Sequence, residues 1–227
     1  MNQPTLENEA IKISSAMDAE IRSLPIRNTA TLRAVRRKFS RTLLDTPSEL
    51  VFQLARHLCK DDNTRWLAYE LIHDHPAAFT HLDSVDLEEL GRGINSWWTV
   101  DAFARTLSGP AWLNRQVPDQ LIDTWARSGD RWWRRAALVS TVSLNVRSQG
   151  GRGDVPRTLR VCRLLAGDQD DMVAKALSWA LRELVVHDPG AVKDFLEEYE
   201  KILPALVKRE VKNKLNSGLK NPRRFRR

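Results

Sequence analysis

Trp97-Trp98-Thr99-Val100-Asp101 is the stretch on which the reading of this chain turns, because three other stretches can be laid in register with it. Thr64-Arg65-Trp66-Leu67-Ala68 precedes it, and Trp133-Arg134-Arg135-Ala136-Ala137 and Val173-Ala174-Lys175-Ala176-Leu177 follow. With Trp66, Thr99, Arg135 and Lys175 as the common column, the steps are about 33, 36 and 40 residues, a spacing that accommodates two helices per step. No alternation of apolar and polar residues competes as a strand pattern. The expected fold is all-α, an α-solenoid whose shared column delivers aromatic and basic groups to one concave, basic groove. Residues 1–217 are expected to form a single domain, with 218–227 as a basic, flexible tail containing Arg223, Arg224, Arg226 and Arg227.

Working outward, the local signals are those of helix after helix. A first helix over Leu6 to Ile21 ends at Leu24-Pro25, since the residue before proline is pushed out of helical geometry. Thr29 or Thr31 is expected to cap a second, which carries Arg33, Arg36, Arg37, Lys38 and Arg41 around Leu32, Val35, Phe39 and Leu43. That basic face is either solvated or set against a phosphate backbone. Pro47 opens a third helix and Asp61-Asp62-Asn63 caps a fourth. The helix from Trp97 is expected to stop at Gly109-Pro110, and Pro118-Asp119 starts another. Asp130 caps the helix running from Trp132 to about Val146, and four more follow: Val155 to Leu165, Asp171 to His187, Pro189 to Tyr199 and Ile202 to Leu215.

The chain has 227 residues and a formal net charge of +7, enough length for a full core and a balance that favours a polyanionic partner, nucleic acid before an anionic membrane. Two distant cysteines, Cys59 and Cys162, each on an apolar stripe, are expected to be buried reduced thiols, as suits a cytoplasmic protein. The polar N-terminus and the lack of any run of about 18 apolar residues indicate neither export nor membrane spanning. His73-Asp74-His75 with His81 has no companion cysteine or third spaced ligand, so no metal site is expected there. The loop Ser148-Gln149-Gly150-Gly151-Arg152-Gly153-Asp154 is followed by no Lys-Ser/Thr and preceded by no strand, which excludes the usual phosphate-loop fingerprints. It is expected to be an inter-repeat turn with Arg152 free to touch backbone phosphate.

The repeat period is that of HEAT-like arrays, and the motifs set on it carry a resemblance. Ser-Trp-Trp-x-Val-Asp at 96–101, Trp-x-Arg-Arg-Ala-Ala at 132–137 and Lys-Ala-x-x-Trp-x-Leu-Arg-Glu at 175–183 resemble the HEAT-repeat DNA glycosylases of the AlkD-like DNA alkylation repair family. A weaker match runs from Ile26-Arg27-Asn28-Thr29 into Leu32-Arg33, and the likeness extends from about Leu24 to Leu215. It implies an enzyme that excises cationic N3- and N7-alkylated purines from double-stranded DNA, acting as a monomer in the cytoplasm and on the nucleoid when bound. It further implies that Asp101 is the catalytic carboxylate, that Trp98 and Trp179 are the aromatic walls around the lesion's sugar, and that Arg135 faces DNA. Arg134, Lys175, Arg152, Arg33 and Arg37 are the further basic candidates for phosphate contact. In the family pattern the acid follows the second tryptophan by four residues, whereas here Trp98 to Asp101 is three and Trp97 to Asp101 is four. At about 100° per residue, Trp97 lies about 40° and Trp98 about 60° from Asp101 around a helix axis, so either indole can take the wall position.

These residue types fit that chemistry. A purine alkylated at N3 or N7 is already cationic and leaves without a proton donor, so the barrier lies in positive charge developing on the deoxyribose. A carboxylate and indole faces stabilise such charge, and neither metal nor cofactor is required. Two alternatives stand beside this one: a catalytically silent relative that binds damaged or branched DNA, and a helical scaffold for proteins. Asp101 discriminates the first two, since a carboxylate buried beside tryptophans at a DNA-facing surface supports the enzyme, and one drawn into an internal salt bridge supports the silent relative. Asp101→Asn is expected to abolish base release with fold and DNA affinity nearly intact.

Overall fold

The computed structural model describes residues 3–222, and the chain divides into two compact units between Gly93 and Ile94. Among the described residues there is no strand, so the all-α expectation holds. Arg223, Arg224, Arg226 and Arg227 of the basic tail lie outside the described residues.

The upstream unit contains α1 (Gln3–Ser23), α2 (Thr29–Leu43), α3 (Ser48–Leu58), α4 (Asp62–Asp74), α5 (Pro76–His81) and α6 (Ser84–Gly91). α1 packs on α3, and α2 on α4, the every-other-helix contact of a repeat array in which each turn adds a helix pair. The cap of α2 is Asn28, not a threonine: Asn28 Oδ1 accepts from the Thr31 amide at 3.0 Å and Thr31 Oγ1 accepts from the Asn28 amide at 3.0 Å. An asparagine accepts this bond as well as threonine does, and Thr31 serves as its reciprocal partner at the third helical position. The histidines of the His-x-His segment have structural partners. His75 caps α5 through Nδ1, which accepts from the Ala78 amide at 3.0 Å, and its Nε2 meets the Thr46 carbonyl oxygen at 3.1 Å. His73 lies 5.1 Å from the Phe79 ring.

The downstream unit contains α7 (Trp97–Phe103), a π turn (Ala104–Ser108), α8 (Gly109–Leu113), α9 (Asp119–Ala126), α10 (Arg131–Asn145), a 3₁₀ turn (Arg147–Gln149), α11 (Val155–Leu164), α12 (Asp171–Leu184), α13 (Pro189–Glu198) and α14 (Ala205–Ser217). Its centre is α10, buried continuously from Arg135 to Asn145 and packed against α7, α8, α9, α11 and α12, while α12 packs in turn on α14. Phe103, Trp125 and Trp133 cluster around the start of α10, with ring centroids 4.9–6.0 Å apart. Thus Trp133 is a packing residue of its motif. The residues placed in one column by sequence fall on α4, α7, α10 and α12.

Gly109-Pro110 does not stop the helix begun at Trp97. Proline lacks an amide hydrogen and its ring crowds the carbonyl four residues back, so the chain widens instead of ending. The Gly109 amide reaches the Ala104 carbonyl, five residues away, and helix resumes at once. A Cβ at Gly109 would lie 2.4 Å from Ser143 Oγ and 2.7 Å from the Ala104 carbonyl oxygen, so glycine is what lets this turn press against α10.

Of the two cysteines, Cys162 is buried and Cys59 half-buried, and both are free thiols. Burial pushes the Cys59 thiol up to about 12, which leaves it unreactive at neutral pH. Among the described residues no helix is long and apolar enough to cross a membrane.

Candidate functional site

α7 begins at a capping box: Ser96 Oγ and Thr99 Oγ1 lie 2.9 Å apart, and the Ser96 amide donates to Thr99 Oγ1 at 3.3 Å. The cap fixes the first turn, so the two indoles diverge. Trp97 is 57% exposed, whereas Trp98 is half-buried. Trp97 lines a cleft of about 350 Å³ together with Arg135, Met172, Lys175, Trp179, Arg182 and Lys220, while Trp98 is not among its lining side chains. The indole on the cleft is therefore the one that keeps the four-residue spacing to Asp101.

Asp101, one helical turn on, is 18% exposed and lies in a bidentate ion pair with Arg135, itself 7% exposed. Arg135 Nε donates to Oδ1 and Nη2 to Oδ2, both at 2.9 Å, and Nη1 donates to the Met172 carbonyl at 2.6 Å. Burial pushes the Asp101 carboxyl above its ordinary value, and the guanidiniums of Arg135 and then Arg105 draw it part of the way back. Burial thus outweighs the pairing, and the carboxyl holds its proton to a higher pH than a free one would.

The remaining sequence candidates separate into engaged and solvent-facing groups. Arg134, like Arg135, is engaged inside the unit: it pairs with Asp168 at 2.7 Å and donates to the carbonyls of Ser128 and Gly129. Lys175 is exposed at the cleft and reaches Asp171 at 2.6 Å. Trp179 is half-buried, its Nε1 donating to Glu183 at 3.0 Å. Arg152 is exposed and lines a different cleft. Arg33 and Arg37 belong to the upstream unit. There Arg33 pairs with Glu70 at 2.8 Å and lies 5.5 Å from the Trp66 ring, and Arg37 is exposed.

Three cationic residues at this site were not singled out by sequence. Arg105 sits over the Trp179 ring at 5.5 Å, and its position four residues after Asp101 on a helical stretch was a signal that could have placed it on the same face. Arg182 lies one turn from Trp179 and lines the cleft, but a helical arginine three residues from a tryptophan is too common to mark it. Lys220 comes from beyond α14 and is 3.4 Å from the buried Glu210. Glu210 also accepts from Ser178 on α12 at 2.7 Å.

Helices packed at alternate positions, with two indoles and several cations on one cleft, define an all-α helical-repeat protein with an aromatic, basic cleft. The chain belongs to the DNA alkylation repair enzyme family, whose model matches residues 5–215. A search of curated proteins found no match. Membership in the family assigns the protein a role in the repair of alkylated DNA.

Proposed function

We propose that the protein is a monofunctional DNA glycosylase that releases cationic N3- and N7-alkylated purines from double-stranded DNA. The observation that carries this reading is that Trp97 and Trp179 line one cleft while Asp101, one turn from Trp97, is bonded to the cleft's Arg135. The bond from C1′ to the purine nitrogen breaks and its electron pair goes to the base, which leaves neutral. The positive charge remains on the deoxyribose. Asp101 supplies the opposing charge, and the indole faces contribute their quadrupoles. Water then adds its hydroxyl to C1′ and releases a proton. Arg135 acts as a positioning residue: it spends one lone pair on each Asp101 oxygen and leaves the others for water or sugar. Lys175, Arg182 and Lys220 supply the cations for the DNA backbone, and the step calls for no metal or cofactor.

A second reading, a relative that binds damaged or branched DNA without cleaving it, is favoured by one observation: both Asp101 oxygens already meet a guanidinium. The deciding assay is release of free N7-methylguanine and N3-methyladenine from methylated duplex DNA by wild type and Asp101→Asn. The glycosylase reading expects wild-type release and loss of about 10²- to 10³-fold in the variant, the usual cost of one preorganised electrostatic group. No release by either protein, with DNA binding retained, would favour the silent binder, and equal release by both would defeat the assignment of Asp101.

A further inference from the structure

A second cleft of the downstream unit, built by the glycine loop, plays no part in the reading above. It measures about 620 Å³, within the range of small-molecule sites. Arg115 and Arg152 line it together with apolar Leu113, Leu144 and Pro156. From Arg135 to Leu144, α10 rises about 13 Å, so this place is distinct from the tryptophan cleft.

The charges of the second cleft do not cancel. Asp119 accepts from Trp112 Nε1 at 2.7 Å and pairs with Arg160 at 3.0 Å. Asp154 pairs with Arg157 at 2.7 Å and caps α11 through the Arg157 amide at 3.0 Å. Arg157 is in turn taken up by the Trp112 carbonyl at 2.7 Å and the Trp112 ring at 4.9 Å. Both lining carboxylates are thereby neutralised within the protein. Arg115 and Arg152 are exposed, and neither has an ion-pair partner among the described residues.

The backbone fixes the points at which these two arginines leave the chain. Arg115 is the one non-glycine residue with positive φ among the described residues, at +62°. It sits just past α8, where its amide meets the Trp112 carbonyl at 3.1 Å and the Gln116 amide meets the Ala111 carbonyl at 3.0 Å. Glycine is the usual occupant of such a helix end, so a local strain is maintained at a residue whose side chain lines the cleft. The other lining arginine, Arg152, is bracketed by two glycines that admit no side chain. A Cβ at Gly151 would lie 2.4 Å from the Ser143 carbonyl oxygen, and one at Gly153 would lie 2.5 Å from the His187 ring.

We propose that this cleft binds a phosphoester of nucleotide size, its phosphate taken by Arg115 and Arg152 and its body by Leu113, Leu144 and Pro156. Guanidiniums favour phosphate oxygens through paired, charge-assisted hydrogen bonds. The phosphate can come from a free mononucleotide or from a nucleic-acid backbone, and the test separates the two sources. Intact protein, Arg152→Gln and Arg115→Gly are titrated with deoxyadenosine 5′-monophosphate and with deoxyadenosine, and their binding to an undamaged duplex is followed against salt. If the monophosphate binds, the nucleoside does not, and each substitution weakens binding about tenfold or more, the free nucleotide is the ligand. If the monophosphate does not bind but each substitution lowers the salt slope for duplex by about one unit, the source is the backbone. Arg115→Gly relieves the strained backbone, so its melting temperature should be unchanged or higher while its binding falls, a combination that a purely structural arginine would not give. Folded variants that alter neither the monophosphate affinity nor the salt slope overturn the proposal.

Discussion

Replacing Arg135 with methionine removes the guanidinium that holds both Asp101 oxygens at 2.9 Å and the Met172 carbonyl at 2.6 Å. With the two side chains 18% and 7% exposed, breaking the pair from one side falls in the buried class, about 3–5 kcal/mol, and the water still reaching Asp101 places it near about 3 kcal/mol. At a urea slope of about 2–3 kcal/mol/M, the midpoint should fall by about 1–1.5 M. Asp101→Asn strands the guanidinium in turn, so it too should destabilise, contrary to the sequence-based expectation of a nearly intact fold. The double variant Asp101→Asn/Arg135→Met removes both charges and should be more stable than the sum of the single losses by about 2 kcal/mol. The pH profile reports the same coupling. Because the folded-state value of Asp101 is raised, this group's contribution to stability is fully present below the unfolded carboxyl value and is lost as pH rises through the folded one. Base release needs the anion, so its acid limb should lie above the usual carboxylate range. It should move higher still in Arg135→Met, where burial is opposed by Arg105 alone. Additive urea midpoints together with an unmoved acid limb would refute the claim that Arg135 sets the charge of Asp101.

Two further outcomes are expected. Gly151→Ala should lower stability by about 1–3 kcal/mol, since the added carbon would sit 2.4 Å from the Ser143 carbonyl oxygen and the obstacle is backbone; thermal unfolding checks this, and an unchanged melting temperature would mean that the loop can shift. Trp179→Ala should weaken binding to lesion-bearing duplex as well as base release, because it removes contact area along with the quadrupole; fluorescence anisotropy with single-turnover rates separates the two effects, and lost rate at unchanged affinity would make the indole a partner of the transition state alone.

The helical architecture was legible in the sequence because it is written in local terms. Asp61, Asp130 and Asp170 cap helices next to them, and the common column recurs on every second or third helix. What could not be read were the partners of the arginines. Arg134 and Arg135 stand side by side in one motif, and nothing nearby shows that the first turns to Asp168 and the second to Asp101, each 34 positions away. A run of arginines suggests a surface for phosphate, yet both of these side chains are bound within the unit while Arg105 and Arg182 stand at the aromatic cleft. Pairing across helices depends on how the helices dock, which side-chain periodicity does not encode. The capping box at Asn28 is a smaller case: the sequence points to Thr29 or Thr31, and the geometry gives the cap to Asn28 with Thr31 as its reciprocal partner.

The turn at Gly109-Pro110 shows how a helix breaker can serve the core without ending a helix. Proline cannot supply the amide that an α-helical turn needs at its position, and the chain answers with a bond that reaches five residues back, from the Gly109 amide to the Ala104 carbonyl, one residue more than an α-helical turn spans. Val100, Phe103 and Ala104 on one side of that bond and Ala111 and Trp112 on the other are all fully buried, so the wider turn lets both stretches keep an apolar face on α10. Between them Asp101 and Arg105, four residues apart, stand on one face, the first bonded to Arg135 and the second over the Trp179 ring. A π turn at this point therefore seats the core and leaves the carboxylate and the arginine together beside the tryptophan cleft.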